Sequence, residues 1–182
     1  MKKPVTQKGF TLVEFIIYVA IASFVLISTV NVSWNIMSAQ ANFNAKQEVY
    51  INSRLAMNQV GIVIKEAEDV LTAQSVFDSH PGVLTLDYPG VNDVIIDTYI
   101  KNISVGGQSA AIRKLQIKGI DGSFTDLTTD KVNVTNFKLT NLTRGSEKDN
   151  INMELRIEKI NPGDDPTYDA SIEFETAISL RE

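Results

Sequence analysis

Between Phe10 and Val32 the chain runs for 23 residues with one charge, Glu14, and with neither glycine nor proline. As a helix such a run rises roughly 35 Å, enough to cross a bilayer core of about 30 Å. A secretory signal peptide has another order: a basic start, an apolar stretch of about 7–15 residues, then a small-residue cleavage site. Here the basic segment MKKPVTQKG leads straight into the apolar run, and no A-x-A-like site follows. Lys2, Lys3 and Lys8 lie on the N-terminal side. By the positive-inside rule they hold that end in the cytoplasm, which leaves the C-terminal body outside.

The rest of the chain is polar, with charges of both signs from Gln40 onward. At 182 residues it suits one domain plus an anchor. The formal net charge is −5, and without the three leader lysines 14 basic residues face 22 acids, a formal −8. An acidic body argues against direct capture of a nucleic-acid backbone, which needs a basic patch. With no cysteine, a disulfide framework, a thiolate nucleophile and cysteine-ligated metal are all excluded.

Glu14 is what a plain membrane anchor does not explain, because a carboxylate inside an apolar span costs about 2.5–3.5 kcal/mol on insertion scales. It lies one helical turn from Phe10. A cut after Gly9 would give Phe10 a free α-amino group, a cation able to neutralise the carboxylate of the same chain or of a neighbour. The other reading leaves Glu14 at the headgroup level, snorkelling to water. Spacing alone leaves both open.

Lys8-Gly9-Phe10-Thr11-Leu12-Val13-Glu14, followed by an unbroken apolar helix, resembles the cleavage and methylation motif of type IV pilins and type II secretion pseudopilins. The resemblance implies that a prepilin peptidase cuts between Gly9 and Phe10 and methylates the Phe10 amine. It implies that Glu14 contacts the N-terminal amine of an adjacent subunit during assembly. It also implies three partners beyond the peptidase: other pilin or pseudopilin subunits, an inner-membrane assembly platform, and membrane lipid before assembly. Many major pilins carry a helix-kinking proline about two-thirds along the span, where this chain has Asn31.

Beyond the span, Ile36, Phe43, Tyr50, Met57 and Ile64 recur every seven residues, with Val60, Ala67 and Leu71 joining near the end. That spacing predicts one amphipathic helix, continuing to about Ala73 and docking this stripe on a sheet. Strand patterns follow at Val83–Tyr88 (ended by Pro89-Gly90), Val94–Ile100, Ala111–Ile117 and Val132–Leu142, the last with a bulge near Asn136. Ile151, Met153, Leu155 and Ile157 alternate, as do Ile172, Phe174, Ile178 and Leu180, which reads as an antiparallel meander. The expected fold is α+β and pilin-like: leader 1–9, spanning helix 10–32, amphipathic continuation 33–73 and a sheet domain 74–182. Gln108–Arg113, the stretch from Leu127 through Val132 to Phe137, and the closing Ile178-Ser179-Leu180-Arg181 resemble J-type minor pseudopilins and W-type minor pilins. This resemblance implies a minor subunit.

No catalytic set emerges, so an enzyme is not expected. His80, the only histidine, precedes Pro81-Gly82 and reads as a solvated loop residue, with no second His or Cys to complete a zinc site. Two acidic turns, Asp121 with Asp126 and the group Asp164, Asp165 and Asp169, have oxygen ligands of the kind calcium takes. Asp, Gly and Pro clusters are also ordinary turn chemistry, and no cofactor is expected. The triplets beginning at Asn102, Asn133 and Asn141 match a glycosylation pattern that is common by chance. Two functions are compatible with the residues. One is a filament subunit of a pilus, competence or type II secretion system, priming assembly at the tip. The other is an unpolymerised, membrane-anchored extracytoplasmic binding or sensor domain.

Overall fold

The computed structural model describes residues 9, 11–88, 92–144 and 149–181. The chain divides into two units, Met1–Gln40 and Ala41–Glu182. The helix α1, Leu12–Glu66, contributes to both. The leader lysines, Phe10 and the Pro89-Gly90 turn lie outside the described residues.

In the first unit, residues 12–40 of α1 are almost wholly exposed. This is the one described helix long and apolar enough to cross a membrane, with a mean hydropathy of 2.3 over its best window. Four of its hydroxyls are satisfied within the helix. Ser23, Ser28, Thr29 and Ser33 each donate to the carbonyl four residues back, at 2.7–2.9 Å.

The second unit holds every buried residue among those described. Residues 41–66 of α1 pack on two antiparallel sheets. One contains β1 (Asp69–Val70), β2 (Leu84–Asp87), β3 (Val94–Val105), β4 (Gln108–Lys118) and β5 (Phe124–Asp126), in that order. The other is a meander of β6 (Val132–Asn141), β7 (Asn150–Lys159) and β8 (Ser171–Ser179). The α+β expectation holds, with the strands shared between two sheets. Leu84, Leu86, Ile96 and Leu115 from the first sheet meet Phe137, Leu139, Met153 and Leu155 from the second in one core with Val49, Ala56, Val60 and Ile64. Gly106 and Gly107 close the β3–β4 hairpin with φ of 60° and 84°, values that favour glycine at both positions of a two-residue turn. The β6 bulge lies between Val134 and Asn136, where the apolar phase shift placed it.

Two expectations need correction. The helix stops at Glu66, short of Ala73. There the backbone transfers its donors to β2: Glu68 N–H donates to Asp87 O at 2.9 Å and Leu71 N–H to Thr85 O at 3.0 Å. No glycine or proline marks the stop in the sequence. The second correction concerns the docking face. The buried face is Ala45, Val49, Asn52, Ser53, Ala56, Val60 and Ile64, whereas Phe43 and Tyr50 are 65% and 45% exposed. Met57, Val60, Ile64 and Ala67 of the expected stripe do pack on the core, and the large side chains nearer its start, Phe43 and Tyr50, turn to one side of this face. Small residues at Ala45, Ser53 and Ala56 let the helix approach the sheets closely, and Tyr50 instead flanks Phe174 with ring centroids 6.0 Å apart. Asn52 ties the helix to the β5–β6 connection, its Oδ1 accepting from Thr129 N–H at 2.9 Å.

Candidate functional site at the start of the helix

The first described turn explains its own geometry. Thr11 is the N-cap: its carbonyl accepts from Phe15 N–H at 3.1 Å and its Oγ1 from Glu14 N–H at 3.3 Å. A helix start leaves its first amide groups without intrahelical partners, and a Thr at this position satisfies one of them. Thr11-x-x-Glu14 is the spacing of a capping box, and a carboxylate in the first turn also suits the positive end of the helix dipole. Glu14 is therefore compatible with its helix start before any second subunit is considered. The Thr11-x-x-Glu14 signal is present in the sequence itself.

Gly9 is exposed, and a Cβ built on it meets nothing within 4 Å. Among the described residues nothing around Gly9 requires glycine. Of the other residues singled out in the sequence, Phe10, Lys2, Lys3 and Lys8 lie outside the described residues.

With this geometry in place, comparison with known families is decisive for the segment. Residues 5–30 match the prokaryotic N-terminal methylation motif. The chain carries a type IV pilin-like prepilin signal. The motif implies processing by a prepilin peptidase and assembly with other pilin subunits. The match spans Lys8, Gly9, Phe10 and Glu14 together and ends inside the exposed part of α1. No curated protein and no solved structure matches the chain.

The remaining candidates have local tasks. His80 is exposed but not idle: its Nδ1 accepts from Phe137 N–H at 2.9 Å, next to the β6 bulge. Asp121 accepts from Ser123 N–H and Oγ–H, and Asp165 caps a short 3₁₀ turn by accepting from Thr167 N–H at 2.8 Å. Asp169 accepts from Asn161 Nδ2. Among the described residues no group of three or more His, Cys, Asp or Glu side chains is placed to hold a metal. Asn133 uses its Oδ1 to bind Arg113 N–H at 2.8 Å, bridging β6 and β4.

Sequence reasoning misses Lys114. Its side chain is only 4% exposed, with Nζ 2.5 Å from Asp126 Oδ2 and 2.6 Å from Asp130 Oδ1. Tyr99 OH donates to Asp126, and Lys101 binds Asp130 at 2.7 Å. Burial pulls the Lys114 pKa down, but the two carboxylates outweigh it and hold the amine above its ordinary value. The two ion pairs tether the β5–β6 connection to β4. Only the alternation on β4, which puts a lysine two residues from the buried Ile112, hints at it.

The same cluster predicts acid sensitivity. Burial pushes Asp126 up, yet hydrogen bonds from Lys114 and Tyr99 leave it below the usual carboxylate range. Lys101 and Lys114 lower Asp130, and Lys159 and Lys131 lower Glu48 against its burial. With folded pKa values below the unfolded ones, the unfolded chain takes up protons first as pH falls. The contribution of these pairs is complete above about pH 4.5 and is lost below it. Urea midpoints of residues 41–182 should therefore be flat between pH 5 and 7 and fall at pH 3. An unchanged midpoint at pH 3 would remove these carboxylates from the stability of the body.

Proposed function

We propose that this chain is a minor pilin or pseudopilin. A prepilin peptidase cuts it between Gly9 and Phe10 and methylates the new amine. The uncut protein lies in the cytoplasmic membrane with its N-terminus inside and its body outside, and an assembly platform then moves the apolar helix from lipid into a filament. Its work is packing rather than catalysis, with Phe10 and Glu14 setting axial register against a neighbour. The observation that carries this reading is the methylation motif over residues 5–30. That no described residue approaches a Cβ built on Gly9 is in keeping with it, since a small residue there is then a matter for the peptidase and not for the fold. The likeness of the body to J-type and W-type minor subunits favours a place at the filament tip.

The test is co-expression of the full chain with a prepilin peptidase, followed by intact-mass measurement. The expected product lacks residues 1–9 and gains one methyl group at Phe10, and a bulky substitution such as Gly9→Leu abolishes the cut. An uncut chain would leave the apolar run as a permanent anchor and end the filament reading.

A further inference from the structure

The sheet edges of the body are finished in different ways. β1 and β5 are two and three residues long. β6 is bulged, and the segment before β2 caps its outer edge: Asp78 N–H donates to Leu139 O and Gly82 N–H to Phe137 O, both at 2.8 Å. β8 has no such guard. It pairs with β7 from Ser171 to Glu158 and from Ser179 to Asn150 without a register shift, and among the described residues no strand pairs with its other edge. A long, regular edge is a template for another strand, and natural proteins usually blunt it.

Beside this edge lies a groove of about 480 Å³ between α1 and β8, with Met57, Gly61 and Ile62 on one side and Phe174, Thr176 and Ile178 on the other. Gly61 keeps the floor low, since a Cβ there meets only Ile178 Cδ1, at 3.6 Å. Arg54 and Lys65 are the first and last helix residues lining it. They are separated by close to three helical turns, which puts them on one face and roughly 16 Å apart along the axis. Both are exposed, and neither has an ion pair among the described residues. Glu175, the only acid in the lining, is held by Asn152 Nδ2 at 2.8 Å.

An occupant must satisfy three conditions. It offers backbone groups to the β8 edge, apolar side chains to the groove, and negative charge to its two ends. We propose that an extended segment of a different filament subunit adds to β8 as a further strand, its groove-facing side reading acidic, apolar, acidic. Even spacings keep both carboxylates on one strand face, and four or six residues, about 13 or 20 Å, bracket the separation of the two cations. Among the described residues, Asp93, Ile95 and Asp97 read that way, but Ile95 is paired on β3 with both Thr85 of β2 and Lys118 of β4. Glu158, Ile160, Pro162 and Asp164 also do, but they run into a turn closed by Asp164 N–H on Asn161 O, so no described stretch of a second copy supplies the segment. The proposal rests on the filament reading and names the partner surface within it.

The chain has no cysteine, so Thr176→Cys puts a unique thiol in the groove wall for a benzophenone label. The full-length variant is produced in cells that assemble filaments, irradiated, and the cross-linked peptide is sequenced by mass spectrometry. The expected product joins Thr176→Cys to a different prepilin-type subunit, through a segment with carboxylates four or six residues apart. The Arg54→Glu/Lys65→Glu variant should lower the yield about tenfold or more, with its unfolding midpoint unchanged because both side chains are exposed. Cross-links only to copies of this chain, a peptide without such acids, a yield indifferent to charge reversal, or no cross-link in filaments that contain the chain would each overturn it. If the chain is absent from filaments altogether, the filament reading fails and the groove proposal falls with it.

Discussion

A Glu14→Ala variant is expected to be cut and methylated normally, to enter the membrane at least as well as the native chain, and to be lost from filaments. Insertion becomes easier because a carboxylate in an apolar span costs about 2.5–3.5 kcal/mol on insertion scales. Incorporation suffers because a charge buried among helices in a filament core needs a cation, and removing one partner leaves the other unpaired. Loss of one charged partner in such surroundings corresponds to a fall in incorporation of about tenfold or more. The N-cap at Thr11 introduces a competing explanation, since Glu14 also occupies the third position of a capping box. Glu14→Gln separates the two, because Gln serves a capping box as Glu does but carries no charge. If the register contact is ionic, Gln behaves like Ala in quantitative blots of sheared filaments. Wild-type incorporation of Glu14→Gln would reduce Glu14 to a helix-start residue.

The second large effect is in the body. Asp126→Asn together with Asp130→Asn leaves the Lys114 ammonium buried without a counter-charge, and residues 41–182 should lose about 3 kcal/mol. That is the lower end for breaking a buried pair, because the carboxylates are 38% and 47% exposed and keep part of their hydration. For a domain of this size the loss corresponds to roughly 10 °C in Tm. Adding Lys114→Met to the double variant should restore most of it, since an apolar side chain of similar length needs no partner. A double variant within about 0.5 kcal/mol of wild type would mean that Lys114 reaches water in solution.

What could be read in advance follows from the range of the interactions. The span at Phe10–Val32, the alternation of Ile151, Met153, Leu155 and Ile157, and the phase slip that marks the β6 bulge are written in adjacent residues. The prepilin signal is equally local. The end of α1 was hidden because β2, not a glycine or proline, stops it by taking the donors of Glu68 and Leu71. The docking face was hidden because size misleads: Phe43 and Tyr50 attract attention, while Ala45, Ser53 and Ala56 are what permit close packing. Lys114 depends on Asp130, sixteen residues away across a turn. His80 depends on an amide in β6. Neither contact leaves a mark in local periodicity.

The hydroxyls of the exposed helix have a consequence for movement between environments. Ser23, Ser28, Thr29 and Ser33 already spend their donors on the helix's own carbonyls. They make the same bonds whether hydrocarbon chains or other helices surround them, so a change of surroundings breaks none of these bonds. An unbonded hydroxyl in hydrocarbon costs about 4–8 kcal/mol, and four of them would bias the segment toward whichever environment offered partners. With their bonds internal, these four hydroxyls give the helix no preference between lipid and protein as a solvent. Glu14 stands apart, a charge that distinguishes a bilayer from a bundle offering it a cation.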